Sequence, residues 1–315
     1  MEINASNSEL KEIDLSRIVK NPDNPRILFR QGELEELLES IRIYGVQVPI
    51  AVYKDGNKYV LLDGERRWKC CQKLNKKTIP ALVQDKPSRL QNLLLMFNIH
   101  SLREQWDLLT QALKLPEIID LIKKDTFLPP TERELSRRTG LAVGTIRRCK
   151  LLMELPQKYK DTILAELEKP KPQQKLTEDF FIEMERSLKT VERNMPGLIE
   201  NKDRVRDILI KKYKNEVINN VLSLRKLPKI AKAEKVSADT RRAADALRQV
   251  FQDNDYSIDR AFENSVSDAY LEQDLQSKIR FLMDKLGTYE DDGFDPELRT
   301  SLQQLYDKLR TILEA

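Results

Sequence analysis

Four consecutive residues, Gly64-Glu65-Arg66-Arg67, follow a β-rich run and lead into a helical pattern. A glycine at the end of a strand lets the backbone approach a ligand closely. The helix that follows presents unpaired N–H groups and the positive end of its dipole, and two adjacent arginines add bidentate donors. This combination predicts a loop that binds a triphosphate. The alternative is that the two arginines are solvated or paired with neighbouring acids, as in many short charged peptides.

A second group of residues fits the geometry of DNA recognition. Thr131 and Glu134 form a capping box that begins a short helix, and Gly140 supplies a turn before a second helix. The first residues of that second helix would enter the major groove, where arginine can contact guanine through two atoms. The side chains expected to face DNA are Arg137, Arg138, Thr145, Arg147, Arg148 and Lys150. The alternative is an ordinary helical hairpin with a solvated basic face.

The distribution of charge separates two regions of the chain. The formal net charge of the whole chain is only +4. Residues 131–160 hold eight Lys or Arg against three Asp or Glu, a net charge of +5, whereas residues 253–297 hold thirteen acids against four bases, a net charge of −9. A basic middle region predicts a polyanion partner, and the acidic C-terminal part predicts a different role.

The composition argues against several kinds of site. Three cysteines, of which Cys70 and Cys71 are adjacent, fit neither a disulfide framework nor a CxxC metal motif. One histidine, His100, is too few for a His-based metal site, and a lone histidine is more often packed or exposed than catalytic. The N-terminus lacks an apolar signal region and no run approaches 18 apolar residues, so we expect a soluble, cytoplasmic protein without a membrane partner.

The order of short motifs in the first hundred residues resembles that of the N-terminal domain of the ParB family. The motifs are Asn24-Pro25-Arg26, Ser40-Ile41, Gly45 with Pro49-Ile50, Gly64-Glu65-Arg66-Arg67-Trp68 and Ile79-Pro80-Ala81. The resemblance covers about residues 10 to 100. It implies that CTP is bound, with Gly64, Glu65, Arg66 and Arg67 lining the triphosphate site and Arg26 close by. The basic segment that ends at Leu155-Pro156 similarly resembles the central, helix-turn-helix domain of ParB-like proteins.

Two motifs depart from the pattern of that family. Val48 stands where the family usually has Gln before Pro. The second nucleotide motif, roughly E-N-x-Q-R in the family, is reduced to Phe97-Asn98-Ile99-His100-Ser101, which leaves Asn98 as the one candidate for contacting nucleotide or Mg²⁺ there. Loss of the carboxylate weakens the case for hydrolysis, because Mg²⁺ prefers hard anionic oxygen ligands. The resemblance therefore implies CTP or another nucleoside triphosphate with Mg²⁺, at most a weak CTPase, and no assigned catalytic residue.

Hydrophobic periodicity predicts the elements that position these residues. In the first hundred residues the predicted order is strand, helix, hairpin, helix, strand, with elements at Ile13–Val19, Glu33–Tyr44, Val48–Tyr53, Tyr59–Leu62, Glu65–Leu74 and Thr78–Gln84. Helical patterns dominate from about Gln91 onward. The predicted fold is therefore an α+β N-terminal domain of the ParB and sulfiredoxin type, followed by an all-α helix-turn-helix domain and an all-α C-terminal region.

The predicted domains are a nucleotide-binding domain at residues 1–100, a helical DNA-binding domain at 101–230 with its helix-turn-helix at 131–153, and an acidic helical region at 231–315. In the last region an apolar seam with helical spacing consists of Leu271, Leu275, Ile279, Leu282 and Leu286. Such a seam is either internal core or a surface for dimerisation or for a partner.

Three classes of function follow from these features. The first is a sequence-specific DNA-binding protein that is switched by a CTP-like nucleotide. It would act as a homodimer on double-stranded DNA at the nucleoid or a plasmid, in partition, chromosome segregation or DNA organisation, and the resemblance suggests a ParA-type ATPase partner. The second class is a nuclease or other phosphate-chemistry enzyme, since relatives of the fold include nucleases, sulfiredoxin and a free-serine kinase. The third is a transcription regulator without nucleotide activity.

Overall fold

Five strands of the N-terminal region form one mixed sheet. They are β1 Glu9–Asp14, β2 Ile18–Val19, β3 Ile50–Asp55, β4 Lys58–Asp63 and β5 Thr78–Gln84, in the order β1-β5-β3-β4-β2. The computed structural model describes residues 8–24, 31–101, 106–288 and 295–314. The predicted hairpin is β3 and β4, which pair antiparallel with Asp55 opposite Lys58. β1 and β5 also pair antiparallel, whereas β3 and β5 run parallel.

The predicted strand Ile13–Val19 is two strands in the structure, on opposite edges of the sheet. β1 ends at Asp14, whose side chain accepts a hydrogen bond from the Ser16 backbone N–H over 2.8 Å. That bond caps a 3₁₀ turn at Leu15–Arg17, after which β2 joins β4 in parallel. The aspartate therefore breaks the run at a position where apolar alternation alone indicates a single strand.

Two helices cover the sheet. They are α1 Gln31–Tyr44 and α2 Glu65–Lys73, and their contacts with each other close a core that includes Ile50, Val52 and Ile79. Gly45, at φ 73°, ends α1 by donating its backbone N–H to the carbonyl of Ile41 over 3.0 Å. The predictions for both helices and for β5 are confirmed to within two residues at each end.

The rest of the described chain is helical. Its helices are α3 Arg89–Ser101, α4 Leu108–Thr126, α5 Glu132–Thr139, α6 Val143–Met153, α7 Gln157–Leu167, α8 Glu178–Asn194, α9 Lys202–Lys214, α10 Lys226–Ala231, α11 Thr240–Gln252, α12 Ile258–Glu263, α13 Ser267–Leu286 and α14 Pro296–Leu313. The predicted fold class, an α+β domain followed by helices, is confirmed. None of the described helices is long and apolar enough to cross a membrane.

The helical core does not follow the predicted domain boundaries. It begins in α3, where Leu93, Met96 and Phe97 are buried, and it continues to Val266. Residues 231–266 therefore pack with the helices that precede them, and the change in packing comes after residue 266 rather than at residue 231. Neither α13 nor α14 has a buried residue.

Candidate nucleotide and DNA interfaces

Gly64 begins α2 in a conformation that requires glycine. Its φ is +96°, in the left-handed region, and a Cβ added there would lie 2.6 Å from Cγ2 of Ile50 and 3.0 Å from a guanidinium nitrogen of Arg67. The glycine thus allows the end of β4 to turn directly into α2 against β3. As the sequence predicts, the loop places a helix N-terminus, with its unpaired N–H groups, at the end of a strand.

Arg67 links two segments of the predicted nucleotide site. Its guanidinium donates to Oδ2 of Asp63 over 2.9 Å and to the backbone carbonyl of Val48 over 3.0 Å. Only 14% of the side chain is exposed. In this structure Arg67 is therefore paired with a neighbouring acid, which is the alternative that the sequence left open. Its predicted contact with phosphate stays a prediction.

Glu65 is buried beneath two lysines. Its carboxylate accepts a hydrogen bond from the Asn24 amide over 2.6 Å and lies 3.0 Å from the Lys69 ammonium and 3.6 Å from that of Lys20. The side chain of Glu65 is 5% exposed and that of Lys20 is 54% exposed. These three partners are not among the residues predicted for the site, although the spacing of four residues between Glu65 and Lys69 is typical of helical ion pairs.

The other side chains of the predicted nucleotide site give a mixed picture. Arg66 is half-buried, and Arg26 lies outside the described residues.

Burial raises the pKa of the Cys70 and Cys71 thiols on the same helix, which disfavours the thiolate that sulfiredoxin-like chemistry needs. Among the described residues there is no cluster of three or more His, Cys, Asp or Glu that could hold a metal ion.

Asn98 lies at the boundary between the N-terminal domain and the helix-turn-helix. Its amide donates to the backbone carbonyl of Leu94 over 2.8 Å and to that of Arg138, at the end of α5, over 2.9 Å. Beside it, Phe97 is buried and packs edge-on against Trp106, with ring centroids 5.2 Å apart. The side chain of His100 falls outside the described residues. The structure thus places Asn98 against α5, and its predicted contact with nucleotide or Mg²⁺ stays untested.

The predicted helix-turn-helix is present as α5 and α6. The Thr131 hydroxyl accepts a hydrogen bond from the Glu134 backbone N–H over 3.2 Å, which caps α5 as predicted. Gly140, at φ 74°, makes the turn between the two helices. Ile146, Cys149 and Leu152 form the buried side of α6, and Leu151 is half-buried. The opposite side of α6 is left open to solvent.

Most of the cations predicted to face DNA are paired with acidic residues of this chain. Arg147 donates to Glu132 over 2.8 Å and Lys150 does so over 3.2 Å, and these hydrogen bonds lower the pKa of the Glu132 carboxyl. Arg148 pairs with Asp179 of α8. Arg138 pairs with Glu134 at 2.9 Å, Arg137 is exposed and Thr145 is half-buried. The structure therefore brings Arg147, Arg148 and Lys150 to one helix, and Glu132 and Asp179 are partners that the sequence analysis missed.

The comparisons with known proteins point to one family. The ParB N-terminal domain family matches residues 1–99. The nucleoid occlusion protein of Shouchella clausii is 32% identical over 160 residues, which are 50% of this chain and 54% of that protein. The nucleoid occlusion protein of Bacillus thuringiensis (strain Al Hakam) is 28% identical over 247 residues, which are 78% of each chain. The chain thus spans about half the length of the first of these relatives and about three-quarters of the second.

Two solved structures of Caulobacter crescentus chromosome-partitioning protein ParB, both C-terminally truncated, are also similar. The complex with the centromeric parS site is 20% identical, covers 70% of this chain and 98% of that chain, and has a TM-score of 0.43. The complex with CTP-gamma-S is 27% identical, covers 49% of this chain and 85% of that chain, and has a TM-score of 0.28.

Proposed function

Because this chain is a ParB-like protein, with a ParB N-terminal domain over residues 1–99, we propose that it binds double-stranded DNA through α5 and α6 and is switched by a nucleoside triphosphate at the Gly64 loop. The observation that carries the DNA assignment is the capped α5, the Gly140 turn and the basic outer side of α6, which together have the layout of a helix-turn-helix. Among the acid-paired cations of α6, Arg147 is the most exposed, with 68% of its side chain accessible.

Two features of α2 support a nucleotide at the Gly64 loop. The first turn of the helix begins directly at the end of β4, so its N–H groups and dipole favour a phosphate. Lys20, Lys69 and Arg66 surround that turn with positive charge. A phosphate would compete with Glu65 for the two lysines and with Asp63 for Arg67, so ligand binding would change the contacts of this loop. CTP is the nucleotide that the resemblance to the ParB family implies.

The names of the relatives suggest the cellular process that DNA binding by this chain would serve. Two of them are named nucleoid occlusion proteins. Organisation or partition of the nucleoid or a plasmid is therefore the proposed role, with association with DNA as the proposed location. A ParA-type ATPase partner rests on the family resemblance alone.

The C-terminal helices support a homodimer. In α14 the apolar residues Leu298, Leu302, Leu305, Leu309 and Ile312 follow the alternating spacing of four and three residues that is typical of coiled coils and bundles. Four of these five side chains are exposed in the single chain, as are Leu271, Leu275 and Ile279 of α13. The exposed apolar seams of α13 and α14 would be buried if two copies of the chain packed these helices together.

A second candidate function is a DNA-binding regulator whose N-terminal domain binds no nucleotide. The observation in its favour is that Arg67 is already paired with Asp63 and Glu65 with Lys69.

Two binding assays separate these candidates. Labelled duplexes and labelled CTP or ATP are titrated with the parent chain, with the Arg147→Ala/Arg148→Ala variant and with Arg67→Ala. We expect the double variant to lose DNA binding and keep nucleotide binding, and Arg67→Ala to do the reverse. Arg42→Ala removes an exposed arginine that pairs with Glu39 in the same domain and serves as the control. Unchanged DNA affinity in the double variant would exclude α6 as the recognition helix, and a parent chain that binds no nucleotide would favour the second candidate.

A further inference from the structure

Helix α8 carries a row of side chains along one face, next to the recognition helix. With 3.6 residues per turn, positions separated by four, three, four and three residues lie on one stripe. The row consists of Asp179, Glu183, Arg186, Thr190 and Arg193. In this row Asp179, Arg186 and Arg193 are exposed and Thr190 is half-buried, whereas Glu183 is buried between them, as are most other residues of α8.

Contacts with other elements show what lies beside the row. At its N-terminal end Asp179 pairs with Arg148 of α6. At the next position Glu183 accepts hydrogen bonds from Arg225, at 3.1 and 3.2 Å, and from Arg186, at 2.7 Å. Because a helix rises 1.5 Å per residue, Glu183 and Arg186 lie about 6 and about 10 Å along α8 from Asp179. Arg186 and Arg225 therefore continue the basic surface that begins at Arg148.

Glu183 holds the two arginines in place without covering them. Its side chain is 10% exposed, whereas those of Arg186 and Arg225 are 50% and 58% exposed. Arginine has five N–H donors, of which Arg225 uses its Nε and Nη2 groups and Arg186 its Nη1 group toward the carboxylate. The pair keeps a net positive charge and further donors that point away from Glu183. Two guanidinium groups held in this way are suited to bind phosphate oxygens.

We propose that Arg186 and Arg225 bind backbone phosphates of the same DNA duplex whose major groove receives α6, and that Arg193 extends this contact along α8. The inference rests on the proposed function, because it takes α6 as the helix that meets DNA. One strand of B-DNA rises 3.4 Å per nucleotide, so an offset of about 6 to 10 Å corresponds to roughly two or three nucleotides. Contacts of this kind raise affinity for every sequence and carry no base preference.

The test uses single substitutions in the full chain. Arg186→Ala and Arg225→Ala each leave the other arginine on Glu183, so the buried carboxylate stays paired. Arg193→Ala is a third variant. Among the described residues Arg193 forms no ion pair with Glu183, so this substitution leaves the pairing of Glu183 unchanged. The dissociation constant is measured for a selected target duplex and a random duplex at several salt concentrations. Thermal unfolding confirms that each variant is folded.

We expect each variant to lower the slope of log affinity against log salt by about 0.9, with equal losses of affinity for the two duplexes. Arg248→Ala is the matched control, because Arg248 is an exposed, acid-paired arginine on α11, and it should leave the slope unchanged. Slopes equal to that of the parent in all three variants would overturn the inference while leaving the recognition helix intact. If the parent bound no duplex at all, the proposed function would fail and this inference with it.

Discussion

The amide of Asn98, on α3, donates to the backbone carbonyl of Arg138, at the end of α5, over 2.9 Å. This contact joins the last helix of the N-terminal region to the first helix of the helix-turn-helix, across 40 positions of the sequence. Because the carbonyl belongs to the last turn of α5, the hydrogen bond also satisfies an acceptor that the helix itself leaves unpaired. Asn98 therefore adds a hydrogen bond to the packing of α3 against the helix-turn-helix.

The same helix is tied to the predicted nucleotide loop on its other side. Asn92 accepts a hydrogen bond from the Asn21 amide over 3.0 Å and donates to Asp23 over 3.2 Å. In the same turn, Asn24 donates to Glu65 over 2.6 Å. Helix α3 is thus connected by hydrogen bonds to both predicted binding sites, and a change in the contacts of Glu65 would be felt at the turn that holds α3.

Replacing Asn98 should lower the free energy of unfolding by more than the loss of its hydrogen bond within α3 alone would. Asn98→Ala removes a hydrogen bond within α3 and the bond to Arg138, so we expect the free energy of unfolding to fall by roughly 1 to 3 kcal/mol. Asn194→Ala is the control, because Asn194 makes a local bond of the same kind to the Thr190 carbonyl, at 2.7 Å. Urea denaturation measures the free energy of unfolding of the two variants and of the parent. Equal losses in the two variants would show that the contact with Arg138 contributes nothing measurable.

Gly64 should be far less tolerant of substitution than Gly56. Both have a positive φ, 96° and 59°, so alanine at either position costs about 1 to 2 kcal/mol in backbone strain. At Gly64 the new Cβ would also meet the Ile50 side chain at 2.6 Å, whereas at Gly56 nothing lies within 4 Å. We expect an additional loss of roughly 1 to 3 kcal/mol for Gly64→Ala. Thermal unfolding of the two variants checks this difference, and equal midpoints would contradict it.

Lys212 should make stability depend on pH in the alkaline range. Its side chain is fully buried and bonded to the Tyr256 carbonyl, and burial lowers its pKa from 10.5 to about 8. Between these two values the unfolded chain binds more protons than the folded chain, so the free energy of unfolding rises as pH increases from about 8 to 10.5. The rise is at most about 3 kcal/mol.

The measurement is denaturation of the parent and of Lys212→Met across that pH range. The variant should lack the part of the rise that belongs to Lys212. Lys214→Met, at an exposed position of the same helix, is the control and should behave as the parent does. A pH dependence identical in Lys212→Met and the parent would show that this lysine keeps an ordinary pKa.

The seam of α14 should determine the oligomeric state. Leu305 and Leu309 lie one turn apart on the exposed apolar side of that helix. A charge at each position would have to be buried in a dimer at a high energetic cost, so Leu305→Asp/Leu309→Asp should be monomeric. Sedimentation velocity measures the mass. Phe127→Asp is the control, because Phe127 is an exposed apolar residue distant in sequence from α14, and it should leave the mass unchanged. A parent chain that sediments as a monomer would exclude the proposed dimer.

Elements whose signals are local could be predicted from the sequence. The hairpin of β3 and β4, the capping box at Thr131 and the turn at Gly140 each depend on residues within a few positions of one another. The first predicted strand is divided at Asp14, because this aspartate caps a 3₁₀ turn and its local hydrogen bond outweighs the apolar alternation around it. The helical core continues through Val266, beyond the predicted boundary at residue 231, because contacts between helices that are distant in the sequence leave no local signal.

The sequence by itself determined that a helix begins at Gly64, directly after a strand, and that a basic helix-turn-helix follows later in the chain, because glycine conformations, helix caps and apolar spacing are encoded by neighbouring residues. Only the tertiary structure decided which partners those side chains have. Arg67 meets the Val48 carbonyl, Arg148 meets Asp179 and Asn98 meets Arg138 across 19, 31 and 40 positions. Contacts over such separations depend on how whole elements pack, and no local spacing specifies them.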